Sequence, residues 1–145
     1  MDIFNSLMQG FATVLSPFNI MMAALGCFFG TLVGILPGLG PSATIAMLIP
    51  LTFGMDPTPA MIMMCAIYYG AMYGGSTTSI LLNVPGEAAS VVTTIDGYQM
   101  ARQGRGGAAL GISAIGSFVA GILGTIGLML VCVPLAKFAL KFGPA

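Results

Sequence analysis

The sequence predicts an all-α integral membrane protein with about three spanning helices and additional half-helices or re-entrant hairpins. Three observations support this fold class. Hydrophobic residues make up 57% of the 145 residues and charged residues only 6%, whereas a soluble domain carries about 25% charged residues. Apolar runs of nearly spanning length recur along the chain. Proline–glycine pairs interrupt these runs at two places, which predicts helices that are broken within the membrane.

Residues 1–16 are expected to form an amphipathic helix that lies on the membrane surface. Apolar residues recur there at helical spacing, with polar residues between them. The helix should end near Ser16, because Pro17 disfavours the helical conformation in the residue before it. The acidic Asp2 and the absence of a positively charged start argue against a cleavable signal peptide.

The first spanning helix is predicted over Asn19–Leu36, which carries no charge and approaches the ~20 residues of a membrane crossing. Glycines 26, 30 and 34 fall on one face of this helix, which indicates close packing against another helix. The segment "PGLGPS", Pro37–Ser42, then breaks the chain. The apolar run that follows is too short to cross and is interrupted by Pro50, so it is expected to be a half-helix or a re-entrant segment.

A turn at Asp56–Pro57 is expected to precede a second, short span over Ala60–Tyr73. The small and hydroxylated residues of Gly74–Ser79 should interrupt the helical pattern again, before a second proline–glycine pair at Pro85–Gly86.

The most polar part of the chain follows this second break. Asp96 and Gln99 resemble a capping box that opens a short helix, and Arg102 and Arg105 suit its C-terminal end. The final span is predicted over Ala109–Val133. Lysines 137 and 141 follow it and should reach toward lipid headgroups. Basic residues on both sides of this span leave the membrane orientation open.

The two breaks, "PGLGPS" and "PGEAAS", share the pattern P-G-x-x-x-S. A helix that begins inside a membrane protein presents free N–H groups and a partial positive charge, which can hold a carboxylate. Nearby carbonyl and hydroxyl oxygens can hold Na⁺. No catalytic residue is predicted, and no metal site beyond this possible Na⁺ site. The candidate substrate- or ion-binding residues are Gly38, Gly40, Ser42, Thr44, Gly74, Gly75, Ser76, Thr77, Thr78, Ser79, Asn83, Pro85 and Gly86.

Simpler interpretations of the same residues stay open. Hydroxyl groups in membrane helices often bond only to their own backbone, and a proline–glycine pair often makes only a turn. Glu87 and Asp96 are most simply helix-capping acids, although an acid within the membrane is a candidate for function. At the level of the whole chain, a passive channel or a purely structural membrane protein would use similar breaks and glycines. The absence of histidine argues against an intramembrane enzyme, and the zero net charge argues against nucleic-acid binding.

Three long segments resemble the large membrane subunit of tripartite tricarboxylate transporters. These segments are "GTLVGILPGLGPSATIAMLIPLTFGM", "YYGAMYGGSTTSILLNVPGEAASVVTTIDGYQMARQGRGGAALGISAIGSF" and the ending "LAKFALKFGPA". The family motifs fall on Pro37–Ser42, Gly74–Ser79 and Asn83–Gly86, and the resemblance covers nearly the whole chain. Family members are several times longer, so the chain is expected to be a single transmembrane domain, residues 1–145, that forms the N-terminal part of a longer transporter and most of one of its inverted repeats.

The resemblance also implies a function and its partners. Such systems are multi-pass secondary transporters of the bacterial inner membrane that import citrate or related carboxylates with a Na⁺ or H⁺ gradient. The large subunit, embedded in the lipid bilayer, works with a small four-helix membrane subunit and a periplasmic solute-binding protein, and no organic cofactor is implied. Its re-entrant segments are thought to move by an elevator-type motion.

Overall fold

The structure is a computed structural model that describes residues 2–139 of the chain, and the regular elements of this part are all helices, without strands. Contacts divide the chain into two units, Met1–Leu110 and Gly111–Ala145. The α-helices are α1 Asp2–Val14, α2 Pro17–Gly34, α3 Pro41–Leu48, α4 Pro57–Leu82, α5 Val91–Met100 and α6 Gly106–Ala139. Short 3-10 turns at Ile49–Thr52 and Ala88–Ser90 and a π-turn at Ala101–Arg105 complete the described elements.

The junction between α1 and α2 forms where the sequence places it. Ser16 is the N-cap of α2, and Pro17 occupies the first helical position, where its missing N–H costs nothing. The Ser16 hydroxyl accepts the N–H of Asn19 at 3.4 Å, and the buried Asn19 side chain donates to the carbonyl of Thr13 at 2.8 Å. These bonds confirm the predicted helix boundary and fix the entry into α2.

Helices α2 and α4 run parallel and pack through glycines. A Cβ atom added to Gly26 would lie 2.5 Å from the carbonyl oxygen of Met63, while one added to Gly30 or Gly34 would collide with the backbone of Ile67 or Ala71. Each step of four residues along α2 matches a step of four along α4 in the same direction. The glycine face predicted from the sequence is therefore the α2–α4 interface, where the backbones approach as closely as glycine permits.

The segment between these two helices, α3 with the 3-10 turn Ile49–Thr52, returns the chain to the start of α4. Its eight α-helical and four 3-10 residues have a length of about 20 Å. Extended to the start of α4, the register of the α2–α4 contacts puts Pro57 beside residue 20 of α2. Residue 20 lies about 21 Å from Gly34 along the axis of α2. A short helical segment is thus long enough for the return, as expected for a half-helix.

Helix α4 differs from the prediction. It extends over 26 residues to Leu82, so the break expected at Gly74–Ser79 is wrong and the chain breaks only after Leu82. The hydroxylated residues are accommodated within this helix, because each hydroxyl donates to a carbonyl three or four residues earlier. The donors are Ser76 to Met72 at 3.2 Å, Thr77 to Tyr73 at 3.0 Å, and Thr78 and Ser79 to Gly75 at 2.9 and 2.8 Å.

The start of α5 also differs from the prediction. Asp96 and Gln99 lie within α5 and do not open a helix, so the capping box assigned to them is wrong. The helix begins earlier because Glu87 and Ser90 form a capping box around the 3-10 turn that leads into Val91. Arg102 and Arg105 lie in the π-turn after α5, next to Gly104 with its positive φ of 76°.

Helix α6 is longer than the predicted final span. It covers 34 residues, and its described side chains beyond Leu110 are mostly exposed apolar residues. The helix continues past Pro134 and includes Lys137, whereas Lys141 lies outside the described residues.

Two helical stretches of the described chain, Pro17–Gly34 and part of Ala88–Cys132, are long and apolar enough to cross a membrane. Large apolar side chains are exposed on almost every helix whose side chains are described, which a water-facing surface does not tolerate at this density. The prediction of an all-α membrane protein is confirmed.

Candidate functional site

The two breaks of the chain meet at one place in the first unit. Gly86, in the second break, packs so closely on α4 that an added Cβ atom would collide with the Cα of Gly75. The same Cβ atom would lie 3.3 Å from the carbonyl oxygen of Gly34, the residue at which α2 ends before the first break. We call the meeting point of Gly34, Gly75, Gly86 and Glu87 the break junction.

The first break, residues 35–40, leads into the N-terminus of α3. Gly38 has a φ of +86°, a left-handed conformation that glycine adopts at little cost. Gly40 is the N-cap of α3 and Pro41 its first residue. Because Pro41 has no N–H and Thr44 donates to Gly40 at 3.0 Å, the first turn leaves the N–H groups of Ser42 and Ala43 without an intrahelical acceptor.

Two hydroxylated residues near the N-terminus of α3 differ in their surroundings. Thr44 is fully buried and donates its hydroxyl to Gly40 at 3.1 Å. Ser42 is exposed, and its hydroxyl makes no hydrogen bond within the described part of the chain. Ser42 is therefore free to donate to a bound anion, while Thr44 secures the start of the helix.

On α4, the predicted site residues form a turn of helix beside the break junction. Gly74 faces α2, where an added Cβ would lie 2.6 Å from the Thr31 carbonyl oxygen, and Gly75 faces Gly86. The hydroxyls of Thr78 and Ser79 both donate to the carbonyl of Gly75, and both residues are buried. Since these hydrogens are committed, the hydroxyl oxygens are acceptors that suit a cation better than a carboxylate.

The second break begins at Asn83, which has a left-handed φ of 59° and ends α4. Four residues later, Glu87 begins the 3-10 turn, and the Ser90 hydroxyl accepts the N–H of Glu87 at 3.2 Å. Glu87 is half-buried, and burial raises the pKa of its carboxyl group above the ordinary value.

An open apolar groove lies away from these residues, between α1 and α4. It has a volume of about 490 Å³ and contains none of the predicted site residues. Its lining residues are Gly10, Thr13, Val14, Thr58, Met61, Ile62 and Cys65.

The structure thus brings only part of the predicted set together. Gly75 and Gly86 meet, with Gly74, Thr78 and Ser79 on the same helix, whereas Gly38 and Gly40 have open space around their Cα atoms. The sequence assigned only a packing role to Gly34, although this glycine also touches the second break. Helix capping, the simplest interpretation of Glu87, is confirmed by its capping box with Ser90.

Comparison with known proteins relates the chain to one family. The model of the tripartite tricarboxylate transporter TctA family matches residues 20–145. A curated relative from Agrobacterium vitis, described as an uncharacterized 52.8 kDa protein in the TAR-I ttuC' 3' region, is 57% identical over 143 residues. That match covers 99% of this chain and 28% of the relative, so the chain spans less than a third of the relative's length. No solved structure matches the chain.

Proposed function

We propose that this chain, which belongs to the tripartite tricarboxylate transporter TctA family, forms part of the carboxylate and coupling-ion site of a secondary transporter. The family consists of membrane components of transporters rather than enzymes. The observation that carries the proposal is the break junction, where Gly86 of the second break contacts the end of α2 directly before the first break. Two interrupted helices that meet at one point are the usual setting of a transporter binding site.

The carboxylate is proposed to bind at the start of α3. The N–H groups of Ser42 and Ala43 and the Ser42 hydroxyl supply donors there, and the N-terminal end of the helix supplies partial positive charge. This assignment needs no basic residue, and α2, α3 and α4 contain none. Citrate, other tricarboxylates and related carboxylates have the chemistry that such donors hold.

The coupling ion is proposed to act on the other side of the break junction. The hydroxyl oxygens of Thr78 and Ser79 on α4 and the carbonyl of Gly34 beside Gly86 are acceptors on this side, and they would suit Na⁺ or a proton as the coupling ion. Substrate would reach the protein from a periplasmic solute-binding protein, with a small four-helix membrane subunit completing the complex in the bacterial inner membrane. Import would follow alternating access of a multi-pass subunit longer than this chain.

Replacing Ser42 with alanine tests the anion site. Ser42 is exposed and its hydroxyl bonds to no described residue, so the variant should reach the membrane at wild-type abundance. We expect uptake of radiolabelled citrate by the full-length variant, assembled with its partners, to fall about tenfold. This is the effect of losing a hydrogen bond to a charged group that contributes about 1.5 kcal/mol. Thr52→Ala is the matched control, because Thr52 lies at the other end of the same broken segment and its hydroxyl donates only to the carbonyl of Ile49.

The outcomes separate the competing functions. Normal uptake by Ser42→Ala would contradict the anion site. Non-saturable uptake that needs no binding protein would indicate a passive channel, and the absence of any uptake by the wild-type complex would leave a structural role for the chain.

A further inference from the structure

The groove between α1 and α4 is built from one face of each helix. Its lining positions recur every three or four residues, for example Gly10 and Val14 on α1 and Met61 and Cys65 on α4, so each helix turns a single face to the groove. Two such faces normally pack together, but here about 490 Å³ stays open between them. Proteins leave few voids of this size, and the volume falls within the roughly 300–1,000 Å³ of a small-molecule site.

The walls of this groove are apolar. The Thr13 hydroxyl donates to the carbonyl of Gln9 at 2.9 Å, so it needs no partner from outside, and apart from Thr58 the other lining residues carry aliphatic or sulfur-bearing groups. Gly10 contributes no side chain, and a Cβ atom added there would meet nothing within 4 Å. The ligand that fits such walls is an apolar chain, which supplies the dispersion contacts that an empty groove lacks.

The groove lies where a membrane lipid can reach it. Helix α2 is long and apolar enough to span a membrane and begins at Pro17, and the register of the α2–α4 contacts puts Pro57 beside residue 20. Both helices therefore begin near the same membrane boundary. From Thr58 the lining residues of α4 run to Cys65, about 10 Å along the helix axis. A lipid whose headgroup lies near the start of α4 can extend an acyl chain along this distance.

The charge at this end of the groove selects among headgroups. Asp56 is exposed, lies two residues before Thr58 and, as the N-cap of α4, makes no side-chain capping hydrogen bond. The basic residues of the first unit, Arg102 and Arg105, follow the part of α5 that contacts Ile80, and Ile80 lies about 33 Å along α4 from Thr58. An acid without a basic neighbour favours a headgroup that carries an ammonium group over one with a net negative charge.

A protein partner matches the groove less well than a lipid does. Seven residues line the groove, whereas a stable protein interface uses about 20–30 residues on each side. The groove is therefore too small for a partner subunit or a second copy of the chain, and its length and apolar walls suit a single acyl chain.

We propose that this groove holds one acyl chain of a membrane phospholipid whose headgroup carries an ammonium group, as in phosphatidylethanolamine, with Asp56 beside that headgroup. The bound lipid joins α1 to the start of α4. The groove contains none of the residues assigned to carboxylate or coupling-ion binding, so the lipid site does not depend on the proposed transport function.

Photo-cross-linking tests the acyl-chain site. The full-length protein is reconstituted in vesicles of phosphatidylethanolamine and phosphatidylglycerol that contain a trace of phosphatidylethanolamine with a diazirine in its acyl chain, and the cross-linked peptides are mapped by mass spectrometry. We expect cross-links to concentrate on the groove faces of α1 and α4. Gly10→Leu, whose side chain would fill the groove, should lose them. Ala12→Leu, which adds the same side chain at an exposed position of α1 outside the groove, should keep them.

A second probe, phosphatidylglycerol with the same diazirine chain, tests the headgroup. We expect the wild type to favour the phosphatidylethanolamine probe about two- to fivefold, the effect of an exposed ion pair. Asp56→Asn should remove this preference, while Asp96→Asn, which alters another exposed acid, should keep it.

The contrary results are distinct. Cross-links spread evenly over the groove and the exposed apolar side chains of α6 would indicate ordinary bilayer lipid and overturn the site, and equal labelling of the wild type by both probes would overturn the headgroup assignment. A photoactivatable amino acid in place of Met61 identifies the occupant without a groove-filling variant, so it decides the matter even if Gly10→Leu does not accumulate. Cross-linking of position 61 to lipid is expected, and cross-linking to a partner subunit or to a second copy of the chain contradicts the proposal.

Discussion

Replacing Gly86 with alanine is expected to disrupt the first unit and to abolish transport. The added methyl group would overlap the Cα of Gly75 and lie 3.3 Å from the Gly34 carbonyl oxygen. Both obstacles are backbone atoms of helices, so neither can rotate away as a side chain could. Overpacking of this kind costs about 1–3 kcal/mol or more, a large share of the roughly 5–15 kcal/mol that keeps a protein folded.

The measurement is the membrane abundance and melting temperature of the full-length variant in detergent. Gly107→Ala is the matched control, because a Cβ atom there meets nothing within 4 Å and alanine favours a helix over glycine by about 1 kcal/mol. We expect Gly86→Ala to melt well below the wild type and Gly107→Ala to melt at or above it. Equal melting temperatures for Gly86→Ala and the wild type would show that the two breaks do not meet.

Replacing Gly30 with alanine is expected to have the second large effect, through the interface of α2 and α4. A Cβ atom at Gly30 would collide with the Ile67 carbonyl oxygen and lie 2.8 Å from the Ile67 Cα. The helices would have to separate, which loses the close contacts of the neighbouring glycines as well. Helix propensity alone predicts the opposite sign, since alanine stabilises an isolated helix by about 1 kcal/mol relative to glycine.

The sign of the change in melting temperature is therefore diagnostic for Gly30→Ala. The control is Gly10→Ala in α1, where the added atom meets nothing within 4 Å and a small stabilisation is expected. An unchanged or raised melting temperature in Gly30→Ala would contradict the close packing of the two helices.

Local residues were enough to predict the boundary between α1 and α2, where Ser16 at the N-cap position precedes Pro17 at the first helical position. They also placed the start of α4 within a few residues, through the turn at Asp56–Pro57. The spacing of the α2 glycines likewise identified its packing face. These features depend only on residues a few positions apart, so they can be read from a single sequence.

The course of α4 could not be predicted in the same way. Gly74–Ser79 has the composition of a break, but Gly74 is held in the helix by its contact with α2, and the hydroxyl groups are satisfied by their own backbone. The contact of Gly86 with Gly34 was equally hidden, because it joins residues that are distant in sequence. Tertiary packing of this kind overrides local propensity and has no signature in composition or spacing.

The parallel course of α2 and α4 has a consequence for the sidedness of the protein. Both breaks follow the C-terminal ends of helices that point the same way, so both lie at one end of the first unit, and the turn at Asp56 lies at the other end. The proposed carboxylate site at the start of α3 therefore shares its end of the unit with the second break. A rearrangement at that end would act on both breaks at once.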